Sequence, residues 1–339
     1  MVNPVYAPAT DRYENGMGYR RCGRSGVLLP EVSLGLWHNF GDVNPLSNSL
    51  AMAHYAFDHG ITHFDLANNY GPSYGSAEET FGQIMKKSFR PYRDELFVAT
   101  KAGYDMWPGP YGNWGSRKYL MASLDQSLKR MGLDYVDLFY THRYDPDTPL
   151  EETLQALVDI VRQGKALYVG ISRYPASAAE KAYRYLAERD VHCLIYQGRY
   201  NLFDRAPEEQ GILDQAHHHG VGFIGFSPLA QGLLTSRYLQ GVPEDSRMAQ
   251  GRFLKRETLT EAVAAKIKAL NEVATERGQT LAEMALAWVL ANEKVTSVIV
   301  GASSVPQLED NLKALRKTGF TRQELDRIET ICRLPDGGK

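Results

Sequence analysis

Short runs of β-forming residues recur along this chain at intervals of roughly thirty residues, and most are followed by an amphipathic helical pattern. Parallel strands are joined by crossover helices, so this alternation is typical of repeated βα units. The predicted strands cover residues 32–36, 62–66, 96–101, 136–141, 167–172, 193–197, 222–226 and 297–300. No linker rich in Pro, Gly or Ser divides them. The sequence therefore predicts one α/β domain over residues 1–339, an eight-stranded (β/α)8 TIM barrel.

Helices and two connecting segments complete the predicted architecture. Residues 19–31 carry Gly23 and Gly26 between two extended runs, which predicts a β-hairpin ahead of the barrel that closes its bottom. Residues 235–253, between the seventh and eighth strands, are polar and contain glycine, and we expect a mobile loop there. The predicted helices, several opened by Ser, Thr or Pro, cover residues 76–87, 117–131, 150–163, 175–188 and 260–277.

Charge and cysteine content argue against several classes of partner. The 38 basic and 40 acidic side chains give a net charge of −2, and no basic stripe could follow a nucleic-acid backbone. The three cysteines are far apart and form no CxxC motif, which indicates a reducing, cytoplasmic environment. Residues 1–16 lack a secretion signal, and no run approaches the ~18 apolar residues of a membrane span. We expect a cytoplasmic protein without nucleic-acid or membrane partners.

Three motifs suggest ligands that their context does not support. Residues 220–225 match the dinucleotide pattern GxGxxG, but that pattern works after a strand and at a helix start, whereas here a helical run precedes it and a strand follows. A helix C-cap and tight turn are the better interpretation. The histidines at 217–219 are adjacent on a helix and share no chelating face, and His59 and His63 have no HExxH glutamate. We therefore predict no metal site.

Four polar residues follow successive predicted strands. Asp65 ends the second strand, Tyr70 lies on the loop beyond it, Lys101 ends the third strand, and His142 follows the fourth. Each alone has an ordinary structural explanation, such as a turn cap or an ion pair. Because active sites of such barrels lie at the carboxyl ends of the strands, we expect the four side chains to share one mouth. A carboxylate, phenol, ammonium and imidazole together form a proton-donor system.

This pattern resembles the catalytic tetrad of the aldo-keto reductase superfamily, and the similarity runs from about Tyr19 to the C-terminal region. Within the superfamily, the chain resembles the branch that holds potassium-channel beta subunits and bacterial L-glyceraldehyde 3-phosphate reductases. His142 is typical of the reductases, since channel subunits usually carry Asn there, whereas Arg173 is more typical of the channel subunits. The further matching segments are GISR at 170–173, QGRYN at 197–201, FSPLAQGL at 226–233 and GASSVPQLEDN at 301–311.

The resemblance implies NADPH-dependent reduction of small aldehydes to alcohols, with L-glyceraldehyde 3-phosphate and related aldehydes such as methylglyoxal as substrates. It also implies a homo-oligomer, a tetramer or larger. The alternative is a cofactor-binding regulatory subunit that binds another protein, and a metal-dependent hydrolase on the same barrel is a third hypothesis. Turnover of NADPH with aldehydes would separate the first two, and bound metal would indicate the third.

The chemistry of carbonyl reduction assigns a role to each of the four residues. A free tyrosine with a pKa near 10 is a poor acid at neutral pH, so Tyr70 needs help to donate a proton. We expect the Lys101 ammonium to favour the tyrosinate and Asp65 to hold Lys101 charged and aimed. His142 would orient the carbonyl and donate to its oxygen.

Cofactor contacts follow from the resemblance. Ser172 and Gln197, with Asn201 as an open possibility, would hold the nicotinamide carboxamide, and Phe226 would lie against its ring. The loop at 301–307 leads into a helix start whose free amides predict an anion site, and Arg247 would reach the 2′-phosphate of the cofactor. The complete predicted set is Trp37, Ser172, Gln197, Phe226, Ser227, Leu229, Gln231, Arg237, Arg247, Gly301, Ser303, Gln307 and Asn311.

The substrate side is predicted from aromatic and basic residues near the same strand ends. The aromatic side chains that could wall the pocket are Trp37, Tyr104, Trp107 and Trp114. Arg143 and Arg173 follow the fourth and fifth strands and are candidate partners of a substrate phosphate, although a surface salt bridge would explain each equally well.

Overall fold

The computed structural model describes residues 6–239 and 256–335, and the eight predicted strands form a closed parallel barrel. The barrel order is β10, β3, β4, β5, β6, β7, β8 and β9. The elements are β1 (Tyr19–Arg21), β2 (Leu28–Pro30), β3 (Val32–Gly35), α1 (Leu46–Asp58), β4 (His63–Asp65), α2 (Ser76–Ile84), β5 (Phe97–Ala102), α3 (Arg117–Met131), β6 (Val136–Thr141), α4 (Leu150–Arg162), β7 (Ala166–Ser172), α5 (Ala176–Ala187), β8 (Cys193–Arg199), α6 (Ala206–Glu209), α7 (Ile212–His219), β9 (Gly222–Phe226), α8 (Glu261–Glu276), α9 (Leu281–Ala291), β10 (Val295–Val300), α10 (Val305–Leu312) and α11 (Arg322–Cys332).

The (β/α)8 prediction is confirmed, and the predicted strand ends agree with the structure to within two residues. The largest difference among the helices named in advance is at α2, which ends at Ile84 because the chain passes into a π-helical turn over Met85–Phe89 and then a 3-10 segment. Pro91 lies in that segment and lacks the amide that would continue an α-helix. Sequence periodicity does not distinguish these tighter and wider turns from α-helix.

The predicted hairpin is confirmed as an antiparallel pair in which Tyr19 of β1 lies opposite Pro30 of β2. The thiol of Cys22 donates to the Leu194 carbonyl oxygen (3.4 Å), and Arg20 donates to the carbonyl oxygen of Val295 (3.0 Å). These two acceptors lie at the amino-terminal ends of β8 and β10, so the hairpin covers the end of the barrel opposite to the strand carboxyl ends. The candidate active site therefore lies at the other mouth, at the carboxyl ends of the strands.

The glycine-rich segment at 220–225 is a helix end, as predicted. Gly220 follows α7 in the left-handed conformation (φ 71°) and β9 begins at Gly222, so helix precedes strand. Of the neighbouring histidines, His219 contacts Glu180 (2.7 Å). In the part of the chain that the structure describes, no three His, Cys, Asp or Glu side chains are placed to hold a metal ion, and no helix is long and apolar enough to cross a bilayer.

Candidate active site

A buried ion pair lies where β4 and β5 end. The Lys101 ammonium is fully buried and lies 2.6 Å from Oδ2 of Asp65, which is 2% exposed. The same ammonium donates to the Leu66 carbonyl oxygen at 2.6 Å. Charges this far from water persist only when they are paired and hydrogen-bonded. Both conditions are met, so Asp65 fixes the position of Lys101, as the sequence predicts.

Gln197 is a second side-chain partner of the Asp65 carboxylate. Its side-chain amide, on β8, donates to Oδ1 of Asp65 at 3.0 Å, so the two carboxylate oxygens have different partners. Sequence reasoning placed Gln197 only at the cofactor. In the structure one of its amide N–H groups holds the Asp65 carboxylate, and its contact with a nicotinamide carboxamide stays a prediction.

Tyr70 lies half-buried on the loop between β4 and α2. Its ring centre is 5.1 Å from the Lys101 ammonium and 5.7 Å from the His142 ring centre. Burial raises the pKa of Tyr70 well above 10, and the negative charge of Asp65 raises it further. Both effects oppose the acidifying effect that we expect from Lys101, and that effect stays a prediction. Asp65, 2.6 Å from the ammonium, offsets part of its field at the phenol.

His142 follows β6 and is a neutral imidazole. Burial lowers its pKa well below 6.5, and the positive charges of Lys101, Arg173 and Arg143 lower it further. Its backbone amide donates to the Ala102 carbonyl oxygen (2.8 Å), which anchors the residue to β5. A neutral imidazole carries one N–H, so His142 can donate a hydrogen bond to a carbonyl oxygen without losing a proton.

Tyr104 connects His142 to two arginines at the mouth. Its ring meets the His142 ring edge-on at 4.7 Å, and its hydroxyl accepts a hydrogen bond from Arg173 (2.7 Å). The Arg143 guanidinium lies 4.2 Å from the Tyr104 ring and 3.5 Å from the Trp114 ring, and it donates to the carbonyl oxygen of Gly103. Arg143 is thus enclosed by aromatic rings, whereas Arg173 is exposed.

The four predicted wall aromatics differ in their surroundings. Tyr104 lies beside His142, and Trp114 is 40% exposed and covers Arg143. Trp107 instead packs against the core residue Tyr119 (5.1 Å), and Trp37 is half-buried with its ring 3.8 Å from that of His38. Among these contacts of the four aromatics, the one with a tetrad residue joins Tyr104 to His142.

Orphaned polar atoms line the region assigned to the cofactor. Ser172 Oγ, Gln231 Oε1 and Asn311 Nδ2 are buried and have no hydrogen-bond partner in the described chain. Buried polar groups are ordinarily paired, so each of these atoms is suited to a polar ligand. Ser172 is at the end of β7, Gln231 follows β9 and Asn311 is on α10. All three lie at or after the carboxyl ends of β7, β9 and β10, so they are candidates to hold a polar cofactor.

The loop after β9 is strained in the manner of a ligand-binding loop. Ser227, Ala230 and Gln231 have φ values of 53°, 47° and 59°, which are unfavourable for residues other than glycine. Such conformations cost about 1–3 kcal/mol each and cluster at binding sites. Asn201 supports this loop, because its amide donates to the Ser227 carbonyl oxygen (3.0 Å) and its own side-chain oxygen accepts from the Phe203 amide. Asn201 therefore supports the loop after β9, and its contact with the carboxamide stays an open prediction.

The remaining predicted contacts lie around α10 and after β9. Ser304 caps α10, but the Ser303 amide donates to Gln307 Oε1 (2.8 Å), so that amide is not free as expected. Asn39, which sequence analysis missed because nothing marks it, donates to the Ala302 carbonyl oxygen (2.8 Å) and steadies this loop. Arg247 lies outside the described residues. Of the others, Gly301 and Arg237 are exposed, and Phe226 and Leu229 are half-buried.

Comparison with known proteins gives consistent matches over nearly the whole chain. The aldo/keto reductase family matches residues 31–333. The chain is 56% identical over 329 residues, 96% of its length and 95% of the relative's, to L-glyceraldehyde 3-phosphate reductase from Escherichia coli O157:H7, and 55% identical over the same shares to the protein of that name from strain K12. It is 36% identical over 323 residues to a probable voltage-gated potassium channel subunit beta from Arabidopsis thaliana, with 93% and 96% of the two chains covered.

Proposed function

Because the chain belongs to the aldo/keto reductase family, we propose that it is an NADPH-dependent reductase of small aldehydes whose substrates are L-glyceraldehyde 3-phosphate and related aldehydes such as methylglyoxal. The observation that carries this proposal is the shared mouth of Asp65, Lys101, Tyr70 and His142, with a protonated phenol beside a neutral imidazole. The two relatives named as L-glyceraldehyde 3-phosphate reductases support the substrate.

Each residue then has one task. When bound, NADPH would supply a hydride for the carbonyl carbon. Tyr70 donates the proton to the carbonyl oxygen, since a phenol is protonated at neutral pH. His142 donates a hydrogen bond to the same oxygen and stabilises the charge that develops there. The Lys101 ammonium, held by Asp65, stabilises the phenolate once the proton has left.

Ser172, Gln231 and Asn311 would hold the cofactor through their orphaned polar atoms, with Phe226 against the nicotinamide. The regulatory-subunit alternative draws support from the 36% identical channel-subunit relative. His142 favours the enzyme, since an imidazole kept neutral and turned to the phenol has a use in proton chemistry that cofactor storage does not require. A cytoplasmic location and a homo-oligomer of four or more subunits belong to the same proposal.

Arg173 is the proposed partner of the substrate phosphate. It is exposed at the mouth, and it donates to the hydroxyl of Tyr104, whose ring meets His142. Arg143 is less suited because two aromatic rings and its bond to Gly103 occupy its guanidinium. We expect Arg173→Ala to raise KM for L-glyceraldehyde 3-phosphate roughly ten- to a hundred-fold, through loss of a charge-assisted contact, and to leave KM for glyceraldehyde nearly unchanged.

Steady-state kinetics with both aldehydes measures this difference, and Arg173→Lys is the matched control. Lysine keeps the charge but loses the planar fork, so its KM for the phosphorylated aldehyde should lie between wild type and Arg173→Ala. Equal increases of KM for both aldehydes would mean that Arg173 shapes the pocket and does not bind phosphate.

We also propose that the protein prefers NADPH to NADH because Arg247 binds the 2′-phosphate. The support is the resemblance of this position to one that reaches the adenosine phosphate in the family. Arg247→Ala should weaken NADPH binding roughly ten- to a hundred-fold and barely change the Kd of NADH, because only NADPH carries the 2′-phosphate. Titrating wild type and variant with both cofactors provides the test. An equal loss of affinity for the two would remove Arg247 from phosphate recognition.

A further inference from the structure

A second buried carboxylate lies behind the catalytic lysine, on the helix side of the barrel wall. Glu78 is in the first turn of α2 and is fully buried. Its Oε1 accepts a hydrogen bond from the Thr100 hydroxyl (2.5 Å), and its Oε2 pairs with Arg130 of α3 (2.7 Å). The proton-donor chemistry described above uses none of these three residues.

The surroundings hold this carboxylate in one place. A buried charge is tolerated only with paired, well-placed partners, and both oxygens of Glu78 have one. The Arg130 side chain reaches Glu78 by passing over Gly75, where an added Cβ would lie 3.0 Å from its Cδ. Gly75 also has φ 90°, so this close crossing depends on glycine. The arrangement joins α2, α3 and β5 at one point.

The contacts among Thr100, Glu78 and Arg130 form a link, and this link is adjacent to both Lys101 and Tyr70. Thr100 precedes Lys101 on β5, so its side chain points to the helix layer while Lys101 points into the barrel. On the other side, the amide of Ala77, next to Glu78, donates to the Tyr70 carbonyl oxygen (3.2 Å). The loop that carries Tyr70 is therefore tied to the first turn of α2, and that turn is tied to β5 by Glu78.

We propose that Glu78 is a positioning residue that, through Thr100 and Arg130, sets the distance between Tyr70 and Lys101. The inference rests on the proposed reductase function for its effect on rate. A displacement of about 1 Å at a reacting group can cost a hundred-fold in rate. Because Glu78 does not contact the mouth, loosening the link slows the proton transfer and leaves aldehyde binding intact.

A pair of substitutions at Thr100 tests the link. Thr100→Val keeps the side-chain volume and removes the hydroxyl, whereas Thr100→Ser keeps the hydroxyl and removes a methyl group. We expect Thr100→Val to lower kcat roughly ten-fold or more with KM for glyceraldehyde within two-fold of wild type, and Thr100→Ser to stay close to wild type. If packing alone mattered, the serine variant would be the slower one. That order, or equal kcat in all three proteins, would overturn the proposal.

Glu78→Gln and hydrogen exchange give two further readouts. Glutamine still accepts from Thr100 but leaves Arg130 without its charge partner, so kcat should fall with KM preserved. Exchange of the amides in residues 70–84, followed by mass spectrometry, needs no turnover: it should be faster in Thr100→Val than in wild type and Thr100→Ser, because the Ala77 amide loses its support. Unchanged exchange would overturn the proposed link, whether or not the wild-type protein reduces aldehydes. Failure of the wild-type protein to reduce any aldehyde would count separately, against the proposed reductase function.

Discussion

Tyr70→Phe is expected to reduce kcat by at least 10²-fold while the Kd for NADPH stays nearly unchanged. The substitution removes the proton donor and keeps the ring that lies 5.1 Å from the Lys101 ammonium and 5.7 Å from His142. Because a phenol is protonated at neutral pH, the wild-type enzyme begins each reduction with that proton in place. Stopped-flow or steady-state assays with glyceraldehyde measure kcat, and a cofactor titration measures the Kd for NADPH.

Tyr104→Phe is the matched control for this prediction. It also removes a phenol hydroxyl at the mouth, but that hydroxyl accepts from Arg173 and does not face the carbonyl in our assignment. It should reduce kcat far less than Tyr70→Phe does. Turnover by Tyr70→Phe comparable to wild type would show that another group delivers the proton.

Lys101→Met should reduce kcat by a similar factor, because no cation would then stabilise the Tyr70 phenolate. The same substitution leaves the buried Asp65 carboxylate without its charge partner, so we also expect a loss of about 3–5 kcal/mol in the free energy of unfolding. Denaturant unfolding and steady-state kinetics on the same sample measure the two effects.

The double variant Asp65→Asn/Lys101→Met separates catalysis from stability. With both charges removed, the unfolding free energy should recover towards the wild-type value, since replacing a whole buried pair costs far less than breaking it. The rate should stay low. A double variant that regained wild-type kcat would mean that the ion pair serves folding only and that Lys101 has no part in the chemistry.

Sequence patterns predicted the barrel, its hairpin and the four residues at the mouth, because strand spacing and the position of a residue at a strand end are local properties. The resemblance to aldo-keto reductases is confirmed by the family match. The pKa of Tyr70 could not be predicted in this way. It depends on burial of the phenol and on the negative charge of Asp65, and both are set by tertiary structure.

Other parts of the site depend on contacts between residues far apart in the chain. Nothing in the sequence around Arg143 shows that Trp114 and Tyr104 enclose its guanidinium, and Gln197 gives no local sign that it holds Asp65. In the sequence Glu78 looks like an ordinary acidic residue in the first turn of a helix, where its negative charge would interact favourably with the helix dipole. In the folded structure α2, α3 and β5 pack together, and only there is Glu78 seen to connect Thr100 and Arg130.

If this chain reduces small aldehydes with NADPH, as we claim, the purified protein turns them over. NADPH oxidation would be followed with L-glyceraldehyde 3-phosphate, glyceraldehyde and methylglyoxal in parallel, with the alcohol products identified. We predict oxidation with all three and the highest kcat/KM for L-glyceraldehyde 3-phosphate. A folded protein that binds NADPH tightly and oxidises it with none of the three aldehydes would contradict the claim and favour the regulatory-subunit alternative.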